Sequence, residues 1–496
     1  MWTLFEVYYF VEKMFVRQSR NAFVRIYDNG NFAYVNNQVT RLDRCYDDNG
    51  ACFLSVLSRE PQSVDTIVEK LSIIYNAPRE TLYHDFLDFV KELEYHQFVV
   101  TGENIEELNK KDTSFSYENS KKCINNSNVS IDNGTLLSTQ DFLLKHDREH
   151  PRLSSLQFEL STRCNERCIH CYIPNYKKNE GKDLSFERFK YILDQFVGMG
   201  GFEVIFSGGE ALLNKEIHRM LHYSREKDLQ INILSNLIAL KDEDVTLLKE
   251  VNPSLIQVSL YSMNPLIHDE ITTVKGSFDK TKSSIEKLHT ANIPIQISCP
   301  IMKANKDGYD AVMKYAQKLK VKCQTDYIMM AQTDMNVGNL SNRLTIEETE
   351  RIIRDIIKYD VDYKEKTLAL EALSNLSEAE YCEMPYCGVG INQICVTVNG
   401  DLFPCPGWQN MVVGNVFKKS LKEIWNNSEK LQKIRNVRRG DFPKCIKCEA
   451  KDYCNMCLVR NYNENNGDMF KTNEHFCKVA FLNKRLVEEW KSKNGK

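Results

Sequence analysis

Residues 161–172 read STRCNERCIHCY, which sets Cys164, Cys168 and Cys171 at the spacing C-x3-C-x2-C. The apolar run LQFEL (156–160) stands directly before them, so the three thiols fall in a loop that follows a short strand. Three thiolates hold three irons of a [4Fe-4S] cluster and leave the fourth iron open to a ligand. A zinc site, or three unrelated thiols, is the competing reading of the spacing.

Downstream of this loop, short apolar runs alternate with amphipathic segments. EVIFS (203–207), QINILS (230–235), SLIQVSLY (254–261), IPIQISCPI (293–301) and QTDYIMM (324–330) read as strands. Between and after them, FERFKYILDQFV (186–197), KEIHRMLHYSREK (215–227), SFDKTKSSIEKLHT (277–290), DAVMKYAQKLK (310–320) and TIEETERIIRDIIKY (345–359) carry helical spacing. About six strand-helix units predict an α/β fold, a parallel sheet curved into an open partial barrel over residues 153–375, with chemistry at the strand C-termini.

Upstream, FVRIYDNGNFAYVNN (23–37) alternates apolar and polar residues around a turn and continues as strands to about residue 45. GACFLSVLS (50–58), SVDTIVEKLSIIY (63–75) with Ser63 as its cap, and RETLYHDFLDFVKELEYHQFVV (79–100) follow with helical spacing. Three strands and three helices predict a small winged-helix-like unit over residues 1–102. Residues 103–152 are polar, without sustained periodicity, and read as a linker. Residues 376–496, with short strands around Asn-Gly and Pro turns, read as a small domain stapled by cysteines.

The chain has 496 residues, a formal net charge of −3, and 27% charged against 42% hydrophobic residues. It lacks the basic excess expected of a nucleic-acid partner. In the opening MWTLFEVYYFVEKMFVRQSR, Glu6, Glu12 and Lys13 interrupt the apolar run before a signal or spanning length is reached, so a cytoplasmic protein without a membrane partner is expected. Seventeen cysteines then argue for metal or cluster ligation rather than disulfides, since the cytosol keeps thiols reduced. Nine of them lie between Cys382 and Cys477. Cys387, Gly400 and Cys405 give C-x12-G-x4-C, and Cys445, Cys448, Cys454 and Cys457 give C-x2-C-x5-C-x2-C. Zinc-ribbon binding is open to the C-x2-C pairs alone. Cys45, Cys52, Cys123, Cys299, Cys323 and Cys395 fit neither pattern and are expected to be structural.

The C-x3-C-x2-C loop after the first barrel strand resembles the radical S-adenosylmethionine (SAM) superfamily. Gly208, Gly209 and Glu210 follow the second strand and match that family's GGE motif, which by resemblance receives the amino group of S-adenosylmethionine. Ser235 and Asn236 end the third strand and Ser259 the fourth, where the family contacts the cofactor's carboxylate or ribose. His170 is expected to pack against the cofactor rather than ligate. The resemblance implies reductive cleavage of S-adenosylmethionine to a 5'-deoxyadenosyl radical, with electrons from a flavodoxin- or ferredoxin-like donor.

The second cysteine region resembles the SPASM extension, which binds two auxiliary [4Fe-4S] clusters and so implies three clusters in all. By resemblance, Cys387, Cys405 and Cys457 hold the first, with Cys382 as candidate fourth ligand; Cys445, Cys448, Cys454 and Cys477 hold the second. The C-x2-C of the last pair departs from that family's usual C-x3-C. Residues 20–102 resemble the RiPP recognition element, which captures a precursor's leader by strand addition to its third strand, here around Thr40 to Cys45. A DNA-binding winged helix is opposed by the acidic last helix, with Glu80, Asp85, Asp88, Glu92 and Glu94.

Together these resemblances imply a maturase of a ribosomally made precursor peptide. A thioether cross-link of the sactipeptide or ranthipeptide kind is the expected reaction, with carbon-carbon cross-linking or epimerisation as the alternative. A sulfatase-type maturase is less well matched, since the acid such enzymes carry after the equivalent of Cys405 is Pro406 here. A non-enzymatic electron carrier or peptide scaffold is the remaining alternative.

Overall fold

A computed structural model describes residues 14–112, 150–359 and 376–494, with 143, 147 and 148. Residues 1–13, which hold most of the apolar opening, and Cys123 lie outside the described residues. The chain divides into two compact units, Met1–His146 and Asp147–Lys496.

In the first unit, β1 (Phe15–Gln18), β2 (Ala22–Tyr27), β3 (Phe32–Asn37), β4 (Asp43–Asp47), β5 (Gln62–Ser63) and β6 (Val99–Gly102) form two sheets, ordered β2-β3-β4 and β5-β1-β6. The first is the antiparallel set expected around the DNGN turn. The helices Asp48–Ser55, Val64–Tyr75 and Arg79–Tyr95 take the expected places. Ser63 caps the second by accepting from the Thr66 N–H. Their apolar stripes meet in one core that includes Phe53, Ile67, Leu71, Phe86 and Leu93.

Two differences from the sequence reading share a cause. The last helix was expected to run through FVV, but Gln97 at φ 61° stops it, and Val99–Gly102 pairs antiparallel with β1. Within the stretch read as linker, residues Ile105–Lys111 form a helix, capped by Asn104 accepting from the Glu107 N–H. The following Asp112 is 3% exposed. It accepts from Arg17 Nε at 2.9 Å, Ser19 Oγ at 3.1 Å and the Arg20 N–H at 3.1 Å. Both pieces are too short to show a period, and both are held by partners some eighty or more residues earlier.

The second unit is built on a nine-stranded sheet. β7 (Ser155–Glu159), β8 (Glu203–Ser207), β9 (Gln230–Ser235), β10 (Leu255–Ser259), β11 (Ile295–Pro300) and β12 (Lys322–Asp326) run parallel in sequential order, the partial barrel expected from six strand-helix units. Alternation decides the faces. Leu156 and Phe158, Val204 and Phe206, Ile231 and Ile233, Ile256 and Val258 are buried under the helices. Gln157, Glu159, Glu203, Asn232, Gln257 and Ser259 fall on the other face, toward the barrel interior. The last strand was expected at 324–330 but covers the polar KCQTD instead; among the described strands it is an edge paired with β11, Pro300 opposite Asp326.

On its other side the same sheet continues into the cysteine-rich region. β13 (Gln393–Val396) pairs parallel with β7, and the hairpin around Asn399 and Gly400 adds β14 (Asp401–Phe403) and then β15 (Gly414–Asn415). The fully buried Trp408 centres a core with Phe442, Leu458 and Val459. Cys299 and Cys395 are completely buried in strands, as structural thiols should be. Among the described residues no helix is long and apolar enough to cross a membrane.

The Arg17–Asp112 pair generates a prediction. Arg17 is 5% exposed, so Asp112→Ala leaves a buried guanidinium without its counter-ion, a loss of about 3–5 kcal/mol. Hydrogen exchange should show that loss as faster opening of β1 and β6, with the barrel strands unchanged.

Candidate functional site

The loop after β7 is braced from three directions. The Gly209 N–H donates to Ser161 O at 2.8 Å and the Glu210 N–H to Arg163 O at 2.9 Å, so the turn after β8 pairs with the loop's start. The Arg167 and Ile169 N–H groups donate to Thr272 O and Ile271 O, each at 3.0 Å, and the Thr333 N–H to Tyr172 O at 2.8 Å. Arg163 forms an ion pair with Asp183 and donates to Leu213 O at 2.6 Å. The approach is close enough to require glycine: a Cβ on Gly208, at φ 128°, would stand 2.5 Å from Ser161 O, and one on Gly209 2.3 Å from Arg163 O.

Glu210 is 2% exposed and organises the strand ends. It accepts from Ser235 Oγ at 2.7 Å, the Leu212 N–H at 3.0 Å and the Asn236 N–H at 2.8 Å. A carboxylate offers about four acceptor positions, so one remains for an incoming donor. Asn236 reaches back to the cysteine loop, donating from Nδ2 to Asn165 Oδ1 at 2.7 Å. Glu210, Ser235 and Asn236 therefore converge beside the three thiols. Ser259 stands apart from them, sharing a hydrogen bond with the Tyr261 hydroxyl, which lies 3.8 Å from Cys168 Sγ.

The electrostatics of the loop are those of buried groups awaiting a cation. Burial pushes the Cys164 thiol up to about 11 and Cys168 well above its ordinary value. Burial also lifts Glu166 to about 7; its carboxylate accepts from Cys168 Sγ at 3.2 Å. Burial opposes the Lys178 ammonium, but neighbouring Cys171, Cys164 and Cys168 outweigh it and raise its pKa. Such thiols would release their protons to solvent on binding a metal centre, whose charge would replace the missing solvation. His170 is half-buried and packs edge-on against Tyr261 at 4.9 Å; loss of solvent around the ring lowers it to about 4. Asn165, Glu166, Lys178 and Tyr261 carried no signal of their own in the sequence. The first two occupy variable positions of the motif, and Lys178 ends a helix of four residues, Asn175–Lys178.

The C-terminal thiols fall into two sets. Burial pushes Cys405 up to about 12, with Cys457 and Cys387 adding to the shift; Cys387 itself is exposed, with Cys457 close enough to raise its pKa. Burial likewise pushes Cys454 up to about 12, reinforced by Cys445, Cys477 and Cys448. Cys382, in the helix Glu378–Glu383, packs at Gly440, where a Cβ would stand 3.2 Å from its own. Among the described residues no three His, Cys, Asp or Glu side chains converge on a single metal ion. A mononuclear zinc draws its sulfurs to about 2.3 Å, whereas a four-iron cube takes its ligands around a larger core. The donor set of each thiol group suits such a cluster.

The two cysteine regions also touch. Gln409, four residues after Cys405, donates from Nε2 to Glu159 Oε1 at 2.5 Å and accepts from Lys177 Nζ at 3.2 Å. Glu159, at the end of β7, is lifted by burial to about 7.

Residues 158–316 match the Radical SAM superfamily and residues 387–450 match SPASM, an iron-sulfur cluster-binding domain. An AdoMet-dependent heme synthase of Methanosarcina barkeri is 26% identical over 332 residues, 63% of this chain and 92% of the relative. The antilisterial bacteriocin subtilosin biosynthesis protein AlbA of Bacillus subtilis is 24% identical over 337 residues, 67% of this chain and 73% of the relative. In fold, the chain is similar to Streptococcus suis SuiB, crystallised with its precursor peptide SuiA, at a TM-score of 0.60 and 16% identity, covering 93% of this chain and 99% of that one. The chain thus carries a radical SAM domain followed by a SPASM iron-sulfur cluster-binding domain.

Proposed function

We propose that this protein is a radical SAM peptide maturase that joins a cysteine sulfur of a ribosomally made precursor to a carbon of an acceptor residue. The reading is carried by the convergence of a braced three-thiol loop with the Glu210, Ser235 and Asn236 network, in one compact unit with two further thiol sets. When bound, S-adenosylmethionine and its cluster supply one-electron chemistry able to take hydrogen from an unactivated carbon. Cys164, Cys168 and Cys171 would hold that cluster, and Glu210, Ser235, Asn236 and Ser259 would orient the cofactor. Cys387, Cys405 and Cys457 would hold the first auxiliary cluster, with a position open to a substrate thiol if Cys382 stays out. Cys445, Cys448, Cys454 and Cys477 would hold the second.

The peptide is assigned to the first unit. Among the described strands β4 pairs with β3, and the helix Arg79–Tyr95 supports it through Tyr46 Oη donating to Glu92 Oε1 at 2.9 Å. A leader captured by this unit along β4 would raise the core peptide's effective concentration at the barrel. The heme-synthase likeness covers 63% of the chain, while the fold likeness to SuiB covers 93%. The 67% of the chain matched by AlbA, a bacteriocin biosynthesis protein, supports a peptide substrate. We assign the protein to the cytoplasm, with a flavodoxin- or ferredoxin-like electron donor and no nucleic-acid or membrane partner.

Two measurements test this reading. Mass spectrometry of the cognate precursor, after anaerobic incubation with reconstituted protein, S-adenosylmethionine and reductant, should show loss of two hydrogens per link and a cysteine closed to alkylation. The same mass loss with the cysteine still alkylated would mean a carbon-carbon link, and cofactor cleavage with an unchanged peptide would remove the peptide assignment. Iron analysis should give about 12 irons per chain, four for each cluster. Cys454→Ala should lower that by about four while S-adenosylmethionine cleavage persists.

A further inference from the structure

Tyr261 follows the C-terminal end of β10 and is 4% exposed, in a core with Ile271, Met302 and Met329 against which Cys168 and Ile169 pack. Its place is fixed from several sides. The Tyr261 N–H donates to His268 Nδ1 at 3.3 Å, and Tyr261 O accepts from Asn305 Nδ2 at 2.8 Å. The ring packs against His170, with centroids 4.9 Å apart, and against His268, at 5.4 Å. A tyrosine buried this far needs a partner for its hydroxyl. Tyr261 Oη lies 3.8 Å from Cys168 Sγ, a hydrogen-bond distance for sulfur.

The chemistry of the sulfur sets the direction of that bond. As a thiol, Cys168 donates to Glu166 Oε2 at 3.2 Å and its sulfur is free to accept from Tyr261. As a metal ligand it is a thiolate with no proton to give, so the phenol is the donor. Cys164, in the same loop, accepts from the Glu166 N–H at 3.4 Å.

We infer that the Tyr261 hydroxyl donates a hydrogen bond to the Cys168 sulfur of the first cluster and, as a positioning residue, raises the potential at which that cluster takes up its electron. Three thiolates outweigh the positive charge of an oxidised four-iron core, and the added electron makes the assembly more negative still. A donor fixed on one ligand sulfur therefore stabilises the reduced form more than the oxidised one. Hydrogen bonds to sulfur are among the levers a protein has on such a potential, and a buried bond is the stronger for its low dielectric. The electron comes from an external one-electron donor, dithionite in the test below, and Tyr261 keeps its proton throughout.

This inference rests on the assignment of the first cluster to Cys164, Cys168 and Cys171, and the test separates the two. Reconstituted full-length protein and Tyr261→Phe, which keeps the ring and removes the hydroxyl, are titrated with dithionite and followed by electron paramagnetic resonance without S-adenosylmethionine. The first cluster is the one whose signal changes when the cofactor is then added. Absence of any cofactor-sensitive signal in the unmodified protein would overturn the cluster assignment itself.

Tyr261→Phe should make reduction of that cluster at least about fivefold less favourable, a shift of about 40 mV for a one-electron couple, with iron content and the other clusters' potentials unchanged. An unchanged potential would overturn the inference. An equal shift at every cluster would also overturn it, since one hydrogen bond acts locally, and so would loss of iron from the variant, since the hydroxyl would then hold the cluster rather than set its potential. The unmodified protein offers a check that needs no variant. After reconstitution in D2O, the cofactor-sensitive signal should lose a coupled proton in electron-nuclear double resonance, and a signal without any exchangeable proton would sink the proposal.

Discussion

The structure depends on one backbone pairing, between the loop that carries Cys164, Cys168 and Cys171 and the turn that follows β8. Two hydrogen bonds, from the Gly209 N–H to Ser161 O at 2.8 Å and from the Glu210 N–H to Arg163 O at 2.9 Å, bring a strand end against a loop with no room for a side chain. Glycine at 208 and 209 is therefore a steric requirement. Once the two segments are that close, Glu210 lies in the interior, where its carboxylate must find donors. Ser235, Leu212 and Asn236 supply them, and Asn236 passes the constraint back to Asn165 in the cysteine loop. Three strand ends and the thiols become one rigid object, the preorganisation that a cofactor with two polar ends and a reactive centre requires.

A second consequence follows from β13. A region that reads as a separate small domain adds a parallel strand to β7, Cys395 opposite Gln157 and Val396 opposite Phe158. The strand that leads into the first cysteine loop is thus hydrogen-bonded to the strand that begins the second thiol set's hairpin. The Gln409 to Glu159 contact fastens the same junction through side chains.

Most of the fold was legible because it is periodic. Alternation in QINILS and IPIQISCPI marks strands with one face under helices, and Ser63 marks a helix start by capping it. What was misread is short or polar. QTDYIMM looks more like a strand than KCQTD, yet the edge position of β12 selects the register that pairs with β11 and tolerates polar residues on both faces. Residues 105–111 look like linker because a helix of two turns shows no period, and Asp112 looks like surface until Arg17 and Ser19 reach it. The site divides the same way. The spacing of Cys164, Cys168 and Cys171 and the run Gly-Gly-Glu are local signals, whereas Lys178 is a plain lysine in a polar stretch.

The sequence by itself determined the class of the chemistry: thiols at a fixed spacing behind a strand, a glycine pair one strand later, and a second cysteine array in an α/β chain. These are local patterns, set by what a three-residue gap between ligands and a missing Cβ allow. Only the tertiary structure decided that β13 joins the barrel sheet beside β7, that Gln409 reaches Glu159, and that Lys178 is sealed from solvent. Those facts depend on burial and on contacts between residues tens to hundreds of positions apart, and solvation is a property of the folded surface that no stretch of sequence carries alone.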